Sequence, residues 1–255
     1  MQSFLSALKQ PFSKLFVSDD KKEPAKFSLS KTSCDAPLWN ASPNAISYDS
    51  AFNPKGIQRE ELARVSGGFV LHNFLTTGEC QQFIDVSERM GYDKARLAVG
   101  NNLVVNSKIR NSNVVLWEAD DTVMKPIFER VKPFVPAKIQ DNGKTWVPIG
   151  LNERFRCNRY QSHQLFRAHY DVEFERNAKE ISWLSIILYL NEAPDFVGGL
   201  TTFFGSQENS HVDPKRGSAL LFFHGHHELS PLHEGSVVTS GCKYILRSDI
   251  MYRCA

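Results

Sequence analysis

The chain has 255 residues, with 30 Lys plus Arg against 28 Asp plus Glu and a net charge of +2. That length suffices for one large domain, or for one domain with an N-terminal extension, and buries a sizeable core. The charge balance speaks against a protein built to hold nucleic acid, the 42% apolar content excludes a disordered chain, and no apolar run reaches the ~20 residues that span a bilayer.

The cysteines Cys34, Cys80, Cys157, Cys242 and Cys254 are odd in number, widely spaced and free of any C-x-x-C. A disulfide framework or thiolate zinc site is therefore not expected. A reducing compartment fits, the cytoplasm first and the nucleus as the alternative. The N-terminus lacks the pattern of a secretory signal. Phe4, Leu5, Leu8, Phe12, Leu15 and Phe16 share a helical face beside Lys9 and Lys14, but Pro11 interrupts it. The expectation is a frayed or core-docking tail rather than a membrane-surface or targeting helix. Pro24, Pro37, Pro43 and Pro54 punctuate residues 1–65, which read as an extended arm wrapped on a domain of residues 66–255.

From Phe69 the pattern tightens. Phe69 to Leu71 and Phe74-Leu75 read as a strand. Thr76-x-x-Glu79 is a capping box that opens a helix to about Met90, with Cys80, Phe83, Ile84 and Val86 as its apolar side. Leu103 to Val105 and Val114 to Trp117 read as strands around a polar loop, Asn106 to Asn113. Lys108 and Arg110 in that loop suggest a mobile lid. Asp120-Asp121 opens a second helix that ends at Pro133. Strands are expected at Arg154 to Tyr160, Phe166 to Asp171, Trp183 to Leu190, Thr201 to Phe204, Ser218 to Phe223 and Lys243 to Tyr252. Two helices followed by many short strands predict an α+β, mainly β fold, a jelly-roll sandwich or barrel braced by helices on one side.

His169-Tyr170-Asp171 is an H-x-D on an expected strand, so its imidazole and carboxylate share a face and can share one cation. By itself so short a pattern also fits an ordinary strand hydrogen-bond pair. His233 lies 62 residues after Asp171, just before the final strand. Two histidines and one carboxylate form the facial arrangement of non-haem Fe(II) oxygenases. In the final strand the period-2 rule places Lys243, Ile245, Arg247, Asp249 and Met251 on one face. The mostly apolar alternates suit packing against the helices. Burying two cations is costly without an anionic partner, and a dicarboxylate ligand is one candidate; otherwise both pair with Asp249 or sit at an exposed edge. His224, His226 and His227 form a rival metal-binding cluster, read as a solvated or rim loop. Lys243 next to Cys242 raises the option of a lowered thiol pKa.

The order H-x-D, Gly198-Gly199-Leu-Thr-Thr-Phe203, Pro214-x-x-Gly217-Ser-Ala-Leu-Leu-Phe-Phe, His233-Glu-Gly and Lys243-Tyr-x-Leu-Arg-x-Asp resembles the prolyl 4-hydroxylase-type Fe(II)/2-oxoglutarate-dependent dioxygenases. The resemblance covers about residues 150–253, with weaker support back to Phe69. It implies a double-stranded β-helix with supporting helices, Fe(2+), 2-oxoglutarate as cosubstrate, O2, and ascorbate as a supporting reductant. It implies His169, Asp171 and His233 as iron ligands and Lys243 as the residue that binds the far carboxylate of 2-oxoglutarate, with Arg247 as the alternative. Tyr160 and Tyr189 stand where the family often places tyrosines near the cosubstrate, though each also fits plain core packing. Two departures stand out: Ser162-His163 where many relatives have Pro-Gly, and Leu200 where many have Glu. Both put substrate identity, rather than the chemistry, in doubt. The implied activity is hydroxylation of an aliphatic C–H, in a peptidyl proline or in a free amino acid or other small molecule, with no nucleic-acid partner and no set oligomeric state. The competing readings are a catalytically silent binding relative and a jelly-roll hydrolase or isomerase that uses another metal and needs no O2.

Overall fold

The computed structural model describes residues 38–39, 46–99 and 102–255; the N-terminal helical face and Cys34 lie outside the described residues. Strands β1 (Gln58–Glu61) and β2 (Phe69–His72) precede helix α1 (Thr77–Met90), and β3 (Asn113–Glu118) precedes helix α2 (Asp121–Val131). There follow β4 (Lys144–Leu151), β5 (Arg154–Gln161), β6 (Phe166–His169), β7 (Glu180–Tyr189), β8 (Phe196–Gly198) and β9 (Thr201–Phe203). The last four are β10 (Ser210–Val212), β11 (Ala219–Phe223), β12 (His233–Gly235) and β13 (Val238–Cys254).

Thirteen strands make the major sheet, in which β3, β5, β13, β7, β11, β2 and β1 lie side by side, and four make a minor sheet ordered β6, β12, β9, β10. The 17-residue β13 is the spine, pairing antiparallel with β5, β7, β4 and β8. Alternation along the central strands sorts the molecule into layers. Phe155, Leu184, Leu188, Leu221, Leu246 and Tyr252 join Phe83 and Ile127 of the helices in one core. Tyr160, Ile187, Tyr189, Leu220, Phe222 and Ile245, from the opposite faces of the same strands, meet Phe203 and Val212 of the minor sheet in a second core. This is the expected jelly roll with helices on one side, and the polar residues of its inner face lie between the sheets.

The helices form for local reasons. Thr76 accepts from the Glu79 amide at 3.2 Å while the Glu79 carboxylate takes the Thr76 amide at 2.9 Å, a complete capping box. Asp120 caps α2 one way, its carboxylate accepting from the Thr122 and Val123 amides. Glu79 and Arg130 tie the two helices through a buried bidentate pair, both contacts at 2.7 Å. Burial raises the Glu79 carboxyl, but hydrogen bonds from Arg130, Thr76 and Asp49 outweigh it and hold the group below its ordinary value. The pair's contribution is therefore complete above that ordinary value and is lost as the pH falls through the lowered one. Arg130→Ala strands a buried carboxylate and is expected to lower the unfolding free energy by about 3–5 kcal/mol, read from urea denaturation. A loss within the ~1 kcal/mol of an exposed pair would contradict it.

Two details differ from the expectation. Asn73 turns into the left-handed region (φ 57), so the strand ends at His72 and Phe74-Leu75 instead bond back to Gly217. The hairpin of Ile139–Asp141 and β4 was not expected; Asn142 and Gly143 (φ 48 and 73) make its turn. Residues 46–65 lie against the domain, with β1 as its sheet edge and Tyr48 and Phe52 on the helix-side core.

Candidate functional site

His169 and His233 face each other as direct cross-strand partners on β6 and β12, with ring centroids 4.3 Å apart. β6 ends at His169, so Asp171 leaves the strand, yet its carboxylate still reaches both rings. Oδ1 lies 3.6 Å from His169 Nε2, and Oδ2 lies 3.8 Å from His233 Nε2. Among the described residues these three are the one cluster of His, Cys, Asp or Glu compact enough to hold an ion, with one donor atom from each within 4.8 Å of the others. His169 Nδ1 bonds to the Arg167 carbonyl at 2.7 Å and His233 Nδ1 to the Pro231 carbonyl at 3.2 Å. Each carbonyl fixes its ring so that Nε2 faces the centre, the outer support that metal-binding imidazoles use.

The surroundings are dry. Phe166 stacks on His169 at 3.6 Å between centroids, and Phe222 and Phe203 lie 4.7 and 5.7 Å from His233. Burial and the neighbouring His169 push His233 down to about 3. Burial by itself raises the Asp171 carboxyl, but Arg247 and the two histidines overturn that and hold it well below its ordinary value. The cluster therefore brings together two imidazole nitrogens and one carboxylate, the donor set that suits Fe(II).

On the inner face of β13, Lys243 is 3% exposed. Its Nζ donates to the Gly199 carbonyl at 2.5 Å and lies 5.8 and 5.3 Å from the Tyr160 and Tyr189 rings. Burial lowers it to about 7. Among the described residues no carboxylate is paired with it. A buried cation without a counter-ion fits a site for a ligand carboxylate. Gly199 has to be glycine here: its φ is +68, and a Cβ would sit 3.0 Å from Val238 and 3.1 Å from the Lys243 side chain. The Tyr189 hydroxyl meets Thr201 Oγ1 at 2.7 Å, and Tyr160 is hydrogen-bonded to Ser112. Both tyrosines are packed and satisfied, and both also wall the lysine.

Arg247, the alternative anchor, lies by the His169, Asp171 and His233 cluster, with Nη2 3.2 Å from Asp171 and 3.1 Å from Asp249. Its charge is engaged by carboxylates of the chain itself.

Three expectations need correction. The Asn106 to Asn113 loop is not a free lid: Arg110 is 5% exposed, donates to Asn158 at 2.6 Å and lies over the Phe166 ring at 4.6 Å. Backbone bonds from Arg167 to Ile109 and from Asn111 to Leu165 fasten the loop to the segment that carries His169. His224 is not on a solvated rim. It is buried between Ser182 and Ser185, while His226 is exposed, so the three do not converge on a rival metal site. Cys242 gains no acidity from Lys243, because burial pushes its thiol up. Conversely, His163 at the Ser162-His163 departure has φ +66, so it adopts there the left-handed backbone that glycine favours. Sequence reasoning missed Ser185 and gave His224 and Arg110 other roles. The available signal for the first was a hydroxyl on the buried face of an otherwise apolar strand.

The profile of the 2OG-Fe(II) oxygenase superfamily matches residues 155–248. Prolyl 4-hydroxylase 5 of Arabidopsis thaliana is 26% identical over 200 residues, 69% of this chain and 65% of that protein. The chain thus matches slightly under two thirds of that relative's length. The crystal structure of viral collagen prolyl hydroxylase vCPH from Paramecium Bursaria Chlorella virus-1 superposes with a TM-score of 0.51 at 19% identity, covering 73% of this chain and 96% of that one. A prolyl hydroxylase in complex with a hypoxia inducible factor oxygen degradation domain peptide fragment, from Trichoplax adhaerens, gives 0.51 at 18% identity over 72% of this chain and 83% of its own. These two solved structures agree in fold, and the matched segment contains all three residues of the cluster together with Lys243. Residues 155–248 of the chain thus resemble the 2OG-Fe(II) oxygenase superfamily, and the curated relatives it is similar to are prolyl 4-hydroxylases.

Proposed function

We propose that this protein is an Fe(II)- and 2-oxoglutarate-dependent dioxygenase that hydroxylates an aliphatic C–H, with a peptidyl proline as the favoured substrate. The observation that carries this reading is the pairing of a dry two-histidine, one-carboxylate cluster with an uncompensated lysine on the same inner face. The names of the prolyl 4-hydroxylase relatives support the substrate class. The free thiols of Cys80, Cys157, Cys242 and Cys254 support a reducing compartment such as the cytoplasm.

His169, Asp171 and His233 would hold the iron on one face, which leaves positions for the cosubstrate and O2. When bound, iron with 2-oxoglutarate and O2 supplies the oxidation: the cosubstrate is decarboxylated to succinate and CO2, and one oxygen atom enters the substrate C–H. The chain's own part is to bind, orient and exclude water. Lys243 holds the far carboxylate with a charge-assisted hydrogen bond. Tyr160 and Tyr189 wall that carboxylate, and the Gly199 carbonyl keeps the ammonium aimed. Phe166, Phe203 and Phe222 keep bulk water from the histidines. Arg110, fixed over Phe166, holds the loop that borders the site.

The test is succinate release by the full chain with Fe(II), ascorbate and 2-oxoglutarate, run against proline-containing peptides and against free amino acids. The expected result is peptide-stimulated, O2-dependent release and a peptide heavier by one oxygen atom. Stimulation by free amino acids alone would replace the peptide. Iron binding with no turnover on any substrate would favour a silent binding relative, and turnover without O2 a hydrolase or isomerase.

A further inference from the structure

We infer that Ser185 and His224 are positioning residues for Asp171, holding its carboxylate as a one-oxygen ligand at the end of a hydrogen-bond chain with a single direction. The inference rests on the reading that His169, Asp171 and His233 take a divalent ion. Both residues are buried, Ser185 at 0% and His224 at 1% exposure. Ser185 lies on the inner face of β7, and His224 directly follows β11.

The direction follows from counting protons. Asp171 Oδ2 lies 2.6 Å from Ser185 Oγ and 3.2 Å from Arg247 Nη2. An ionised carboxylate only accepts, so the single hydroxyl proton of Ser185 goes to Asp171. Ser185 Oγ can then only accept, and it does so from His224 Nδ1 at 2.9 Å and Arg247 Nη2 at 3.3 Å. His224 Nδ1 therefore carries a proton. Its Nε2 meets Ser182 Oγ at 2.9 Å, and that oxygen already accepts the Phe174 amide at 2.8 Å. Ser182 thus has its own proton to give to Nε2. The chain runs from the Phe174 amide to Ser182, through the His224 ring to Ser185, and ends on Asp171. Every link has one donor and one acceptor.

The chain also closes on itself, since Phe174 stands three residues after Asp171 on the same segment. The Gly225 amide, next to His224, donates to the Asp171 backbone carbonyl at 3.0 Å. Gly225 has φ +66, and a Cβ there would lie 2.9 Å from the Glu173 Cβ, so the close approach depends on glycine. The carboxylate and the backbone of Asp171 are thus both fixed from β7 and β11 of the major sheet, while the two histidines come from the minor sheet. Oδ1 stands beside His169 Nε2, at 3.6 Å.

The test uses the full chain and reads metal affinity and tautomer rather than turnover. Wild type, Ser185→Ala, Ser185→Thr, His224→Leu and His224→Asn are titrated with Co(II) and followed by visible absorption, with thermal melting as the control for folding. Ser185→Ala and His224→Leu are expected to weaken Co(II) binding by about 10–100-fold. Ser185→Thr keeps the hydroxyl and His224→Asn keeps a donor near Nδ1, and each is expected to recover most of the loss. In Zn(II)-loaded, 15N-labelled wild type, the His224 ring is expected as the Nδ1-protonated tautomer. An Nε2-protonated His224, or a folded Ser185→Ala protein that binds Co(II) as wild type does, overturns the inference while leaving the metal reading intact. Wild type that takes up neither ion overturns both. Should a His224 variant fail to fold, the tautomer of the unaltered protein decides.

Discussion

Asp171→Ala is expected to lose metal uptake and turnover together while the fold survives. Asp171 supplies the single carboxylate of the cluster and lies within 4 Å of both imidazoles. Its removal leaves two imidazole nitrogens and no negative charge to offset that of a divalent ion. The loss of affinity should exceed the roughly 10–100-fold that removing an outer-shell partner causes. Arg247 retains Asp249 at 3.1 Å, so the substitution does not leave its guanidinium unpaired and the protein should still melt cooperatively. Asp171→Asn separates charge from shape: it keeps the volume and is expected to bind metal more weakly than wild type and more tightly than Asp171→Ala. Equilibrium dialysis with Fe(II) under anaerobic conditions, alongside the succinate assay, reads both effects. Wild-type affinity in Asp171→Ala would place the metal elsewhere.

The second large effect belongs to Lys243. Lys243→Ala is expected to keep iron binding and to raise the 2-oxoglutarate requirement at least about 10-fold, because a charged hydrogen bond contributes ~1.5–3 kcal/mol and each ~1.4 kcal/mol is a decade in affinity. An unchanged requirement would transfer the anchoring role to Arg247. The pH dependence follows from burial, which lowers the ammonium to about 7. Below that value the free protein carries the charge that a carboxylate needs, and above it the lysine is largely neutral. Cosubstrate affinity should therefore fall as the pH rises through about 7, and binding above it should take up a proton. Calorimetry in two buffers of different ionisation enthalpy measures that uptake. Lys243→Arg, whose guanidinium does not titrate in this range, should flatten the slope even if it binds less tightly.

Much of this molecule was legible before any coordinates. The capping box at Thr76 and Glu79 needs only local chemistry, and the two-residue period of the final strand separated Lys243 and Arg247 from Leu246 and Tyr252. That period also carried His169 and Asp171 to one side, although the strand itself stops at His169. β4 was missed because Pro148 and Gly150 interrupt it and it pairs only with its hairpin neighbour and the end of β13. Several three-residue strands are too short to show any period. The different duties of Lys243 and Arg247 were not legible, since they depend on which carboxylates other strands bring near. The same holds for Ser185 and His224, 39 residues apart in sequence, and for Arg110. Its polar loop looked solvated until Phe166 and Asn158 supplied a stacking surface and an acceptor for the guanidinium.

The facing histidines of β6 and β12 carry a mechanical consequence. β6 is the outermost strand of its four-stranded sheet, and on its outer side only a single bridge from Arg110 to Phe166 and the neighbouring bonds of the 106–113 loop hold it, so it is less firmly held than an inner strand. An ion shared by His169 and His233 acts as a rivet between that border and its neighbour. Loading the ion would therefore stiffen that border of the minor sheet, coupling readiness for chemistry to the shape of the barrel there.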